Sequence, residues 1–140
     1  MTSIDATLRE RLARLADGLI PEADGMPAPS SVDIGGQQLD VVLDSRPDLA
    51  DDLRGALAAA GDVEDPIGWL AVLRSEDTAG YEALVTVVVA GYYMHPEVKR
   101  LLGYPGQVPE PVSVDGFPDY VNAGFLERVY ERGPIYRPTP

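Results

Sequence analysis

Apolar residues recur at three- and four-residue steps over most of the chain, which is the period of helices buried along one face. Ile4, Leu8, Leu12, Leu15 and Leu19 form one such stripe, with Arg9, Glu10, Arg11 and Arg14 between them. Gly18 weakens the end of this first helix and Pro21 stops it. From Glu22 to Ser31, Asp24-Gly25, Pro27 and Pro29 predict a turn and an extended piece, with Ser30-Ser31 as a helix N-cap. Leu39, Val42 and Leu43 then mark a shorter helix. Pro47 and Asp48 suit the first turn of a third helix, with Asp48 complementing its dipole. Leu49, Leu53 and Leu57 supply its stripe and Gly61 its stop. Asp65-Pro66 repeats the start signal for a helix through Trp69, Leu70 and Leu73.

The stretch from Thr78 to Tyr93 is the most apolar. Val85, Val87, Val88 and Val89 favour a strand by propensity. About sixteen residues without an internal turn signal favour a buried helix instead, and helix is the expectation. Gly91 near its end is expected to let another backbone come close. His95-Pro96 restarts the chain as a short helix to Leu102, His95 capping it and Gly103 stopping it. Pro105, Pro109, Pro111 and Pro118 rule out regular structure from Tyr104 to Pro118. A last helix is expected over residues 119–132, using Val121, Phe125, Leu126 and Val129, followed by an irregular tail from Gly133 to Pro140. The expectation is therefore a mainly α, small irregular helical domain, single over 1–140. It comprises a helical body (1–103), a long Pro/Tyr-rich loop (104–118), a helix (119–132) and an extended C-terminal tail (133–140).

Composition narrows the chemistry. With 140 residues, 45% of them hydrophobic, the chain can bury one core and is not disordered throughout. Its 11 Lys and Arg against 23 Asp and Glu give a net charge of -12, which repels phosphate backbones and anionic lipid, so no nucleic-acid or membrane partner is expected. The absence of cysteine removes disulfide, thiolate, iron–sulfur and zinc-thiolate chemistry. His95 is the sole histidine. Asp62, Glu64 and Asp65 do not follow calcium-loop spacing, and Gly35-Gly36 and Gly103–Gly106 do not follow a phosphate or dinucleotide fingerprint. No catalytic, metal or cofactor site is expected within the chain, although a small enzyme pairing His95 with a nearby tyrosine is a third reading.

Eight of the ten aromatic residues lie from Tyr92 onward, and seven of the thirteen prolines lie beyond position 103. Tyrosine offers rigid amphipathic surface at small entropic cost, and proline pre-extends the backbone. This strip suits a contact along a second protein, or one that wraps the chain's own helices.

From Gly91-Tyr92-Tyr93-Met94-His95-Pro96-Glu97-Val98 to Leu102-Gly103-Tyr104-Pro105-Gly106-Gln107, the sequence resembles the gluconate 2-dehydrogenase subunit 3 family. Leu19-Ile20-Pro21, Asp24-Gly25 and Pro27 resemble that family's opening turn. The resemblance implies a non-catalytic small subunit that binds and stabilises a large FAD-dependent sugar or glycoside oxidoreductase subunit of the glucose–methanol–choline type. The FAD and the catalytic base would then belong to the partner. By motif position, Tyr92, Tyr93, Gly103, Tyr104, Pro105 and Gly106 take a structural and partner-facing role, and His95, Phe117 and Tyr136 join them as expected contacts. Many family members begin with a twin-arginine export signal. The opening Met1-Thr2-Ser3-Ile4-Asp5 has none, so a cytoplasmic version is expected. The alternative is a self-contained helical scaffold or homo-oligomer without a flavoprotein partner.

Overall fold

The computed structural model describes residues 4–109 and 123–135. Among these residues the protein is mainly α-helical, and pairing outside helices is limited to an isolated bridge between Ala23 and Met26. The chain divides into two compact units, Met1–Gly106 and Gln107–Pro140.

In the first unit, helix α1 (Ala6–Leu19) starts where Asp5 Oδ1 accepts the Leu8 amide at 2.9 Å, satisfying a donor that the helix itself leaves unpaired. It buries Leu8, Leu12, Leu15 and Ala16. Asp24 and Gly25, at φ +51° and +82°, form the tight turn closed by Ala23 and Met26. Positive φ at both central residues suits the Asp-Gly pair. Ser30 and Ser31 do not cap a helix as expected. They lie inside a 3-10 turn, Pro29–Val32, and the Ser30 amide donates to Asp17 Oδ1, tying the loop back to α1.

Helix α2 (Gln37–Ser45) follows, then a 3-10 turn at Pro47–Leu49 that runs into α3 (Ala50–Ala60). Asp48 sits in that first turn, but its carboxylate faces Arg46, which donates to both oxygens at 2.8 and 2.6 Å. Asp65 and Asp77 open α4 (Pro66–Glu76) and α5 (Thr78–Met94) in the same way, each accepting an amide three residues on, from Gly68 and Gly80, at 3.0 Å.

Helix α5 is the axis of the unit, with α2, α3 and α4 packed against it. It buries Ala83, Leu84, Val87, Val88, Gly91 and Tyr92 against Leu39, Val42, Leu53, Leu57 and Leu70. The helix expectation for the valine run holds because tertiary burial outweighs β-propensity. Gly91 does admit a close neighbour, but that neighbour is a side chain: a Cβ there would lie 3.1 Å from Ile34 Cδ1. Backbone approach occurs at Gly35, where a Cβ would sit 3.1 Å from the Arg9 carbonyl oxygen. Arg9 fastens the same corner, donating to the carbonyls of Ile4, Gly35 and Gly36 and to Asp40.

Helix α6 (Pro96–Leu101) packs on the end of α5 through buried Val98. In the second unit, the described part of the expected last helix is shorter than predicted. Residues 123–126 form turns and the helix spans Glu127–Arg132. Residues 110–122 and 136–140, which carry most of the expected loop and tail, lie outside the described residues.

Candidate interaction surface

Two adjacent tyrosines at the end of α5 have different environments. Successive helix residues are turned by about 100°, so Tyr92 continues the row of Leu84, Val88 and Gly91 while Tyr93 continues Thr86 and Val89. Tyr92 is 1% exposed, and its hydroxyl donates to the Pro27 carbonyl at 2.7 Å. Burial raises its pKa above the usual phenol value. This corrects the expectation that Tyr92 meets a partner: it is a core residue that holds the 23–29 loop against α5. Tyr93 is 50% exposed and packs edge-on against Tyr92, with ring centroids 5.3 Å apart.

His95 occupies the expected cap position. Its Nδ1 accepts the Glu97 amide at 3.2 Å, and Pro96 takes the first helical place, where no donor is lost. The opposite end of α6 closes with Gly103 at φ +65°. The Gly103 amide donates to Arg100 and the Tyr104 amide to Lys99, the paired bonds of a Schellman stop. This stop fixes the backbone of Tyr104, whose ring is 54% exposed. Pro105 is exposed and Gly106 is half-buried at φ +86°. Gly103 thus has a backbone role, while Tyr93, Tyr104 and Pro105 are available to a neighbour. Phe117 and Tyr136 lie outside the described residues.

Several exposed residues were not singled out from sequence. On α5, Val85, Thr86 and Ala90 are half-buried, and Val89, Tyr93 and Met94 are exposed. Glu82 is the only charged residue in the helix. A helix apolar on nearly every side belongs in an interior, yet a strip of α5 with Val89, Tyr93 and Met94 is exposed. Leu101 and Leu102, at the far end of α6, are exposed as well. The readable signal was apolar residues at 89 and 93, on the same face as Glu82 and Thr86, where an outward helix face carries polar ones.

Beside this region lies an open cleft of about 450 Å³ lined by Glu22, Gly25, Met26, Pro27, Ser31, Val32, Glu97 and Leu101. Arg100 donates to both Glu97 oxygens, at 2.9 and 2.7 Å, and this pairing holds the Glu97 carboxyl below its ordinary pKa. Among the described residues no three His, Asp or Glu side chains converge as metal ligands. No described helix is long and apolar enough to cross a membrane. Compared with protein-family models, with curated proteins and with solved structures, the chain matches none.

Proposed function

We propose that this chain is a binding subunit that seats the open face of α5, together with the Leu101–Tyr104 ridge, on a larger protein. The observation that carries this reading is the exposed apolar strip of α5, Val89, Tyr93 and Met94, together with exposed Leu101 and Leu102 on and just after α6. Exposed apolar surface of this extent marks an interaction site more often than a free surface. Tyrosine is among the residue types that dominate binding energy once buried in an interface.

The resemblance of residues 91–107 and 19–27 to gluconate 2-dehydrogenase subunit 3 supports a particular partner: a large FAD-dependent sugar or glycoside oxidoreductase subunit. The flavin and the reacting groups belong to that partner. This chain contributes binding and stabilisation, and no catalytic group.

Co-expression with that flavoprotein, followed by size-exclusion chromatography, tests the reading. Co-elution at micromolar concentration is expected, and Tyr93→Ala with Leu102→Ala should weaken the complex by at least tenfold while the free chain stays folded. Separate elution of the unaltered proteins sinks the flavoprotein assignment. Concentration-dependent self-association through the same residues would instead favour a homo-oligomer.

A further inference from the structure

Three aspartates of this chain precede a glycine: Asp17, Asp24 and Asp115. The dipeptide has a reactivity of its own, because glycine has no side chain to shield its amide nitrogen. That nitrogen can reach the carboxyl carbon of the aspartate before it and close a five-membered imide. In sequence the three sites are alike. Asp115 lies outside the described residues, and the fold separates the other two.

Asp17 and Gly18 sit inside α1 and are half-buried. The Gly18 amide belongs to the helix ladder, donating back along α1, and cannot turn toward a side chain. Asp17 Oδ1 is engaged as well, accepting the Ser30 amide at 2.9 Å. A Cβ at Gly18 would lie 3.1 Å from Pro66 Cβ, so α4 closes over this point. Asp24 and Gly25 escape all three restraints. Both are exposed, in a turn at φ +51° and +82°. The bonds of this loop join Ala23 to Met26, Ser30 to Asp17 and Ser31 to Ala28, and among the described residues none uses the Gly25 amide or the Asp24 carboxylate. Nothing stands within 4 Å of where a Gly25 Cβ would be.

We infer that Asp24 is a site of spontaneous isoaspartate formation, selected over Asp17 by the turn that carries it. The Gly25 nitrogen attacks Cγ of the protonated carboxyl. An N–Cγ bond forms, the Cγ–OH bond breaks, and the amide proton leaves with the hydroxyl as water. Water then adds back to the imide. Breaking the N–Cγ bond restores aspartate. Breaking the bond from that nitrogen to the Asp24 main-chain carbonyl carbon leaves the chain running through Cβ and Cγ, with the former main-chain carbonyl as a free carboxylate. Nothing is oxidised or reduced, and the product has the mass of the parent.

The rerouted link is one methylene longer between Ala23 and Met26, whose amides donate to each other's carbonyls at 3.3 and 2.8 Å. The next residue is Pro27, whose carbonyl accepts the buried Tyr92 hydroxyl at 2.7 Å. A change at an exposed turn therefore reaches the core through one neighbour. This consequence is independent of whatever binds α5.

The test holds the full chain at neutral pH and 37 °C for several weeks and digests samples with endoproteinase Asp-N, which cuts ahead of aspartate and not ahead of isoaspartate. Cleavage ahead of residue 24 should decline with time, without change of mass, while cleavage ahead of residue 17 stays constant. In chain kept unfolded in guanidinium chloride, both should decline. Modified chain, separated by ion exchange, should melt about 4–8 °C below the parent, the shift expected from losing the Tyr92 bond. Undiminished cleavage ahead of residue 24, or equal decline at 17 and 24 in the folded chain, overturns the inference. Constant cleavage ahead of residue 17 in the unfolded chain overturns the role given to the fold, and a modified chain that melts with the parent overturns the link to Tyr92.

Discussion

Replacing Tyr92 and Tyr93 one at a time separates interior from interface within a single dipeptide. Tyr92→Phe keeps the ring in the core and removes only the hydroxyl that donates to Pro27 at 2.7 Å. Pro27 is half-buried, so water reaches its carbonyl in part, and the loss should be about 1 kcal/mol. Tyr92→Ala also empties an aromatic-sized volume in the core cluster, which costs about 3–5 kcal/mol. That is a large share of the ~5–15 kcal/mol that holds a domain together. For a unit of this size, 1 kcal/mol moves the midpoint by about 4–8 °C. Tyr92→Phe should therefore melt about 4–8 °C below the parent, and Tyr92→Ala more than about 12 °C below or fail to fold. Tyr93→Ala gives up one edge-on ring contact and little burial, for a loss of no more than about 1 kcal/mol. Thermal unfolding of the free chain, followed by far-ultraviolet circular dichroism, reads all three. Equal losses for Tyr92→Ala and Tyr93→Ala, or a Tyr92→Phe protein as stable as the parent, would refute this division of roles.

Gly55 lies in α3 with nothing within 4 Å of where a Cβ would stand, so Gly55→Ala should stabilise the chain by about 0.5–1 kcal/mol, seen as a higher urea midpoint. Asp65→Ala and Asp77→Ala each remove an N-cap acceptor and should cost about 1 kcal/mol, whereas Asp→Asn at either site should recover most of that loss in the same melts. Alkaline stability should follow Tyr92. Its folded pKa is raised by burial, so its contribution is complete below the usual phenol value near 10 and is lost as pH rises through the folded value. Unfolding free energy measured from pH 8 upward should fall more steeply in the parent than in Tyr92→Phe, and parallel slopes would remove Tyr92 as the cause.

The helices were legible because their start signals are local. Asp5, Asp65, Asp77 and His95 each cap the element that follows them, and each bond spans no more than three residues. Distant partners were not legible. Arg9 read as part of a polar face, and its acceptors at Gly35, Gly36 and Asp40 come within reach only once the chain has folded back over 26 to 31 residues. Ser30 read as a helix cap because serine before an apolar run usually is one. Here Pro29 opens a 3-10 turn first, and the Ser30 amide donates to Asp17 instead. Tyr92 was misassigned for a different reason. Composition counts Tyr92 and Tyr93 alike, while the helical phase set by Leu84, Val87, Val88 and Gly91 already placed Tyr92 inside.

The valine run carries the most instructive ambiguity. A helix that covers a core on one side and meets water on the other shows a period, and that period identifies it. Residues 78–94 show almost none, since Val85, Val89, Ala90, Tyr93 and Met94 stand where polar residues belong. The same weak contrast that left strand and helix open in the sequence leaves Val89, Tyr93 and Met94 exposed on α5. Phe125, Val129, Tyr130 and Ile135 of the second unit are likewise exposed apolar residues. Local pattern records every surface a segment must bury, including surfaces that its own unit does not cover.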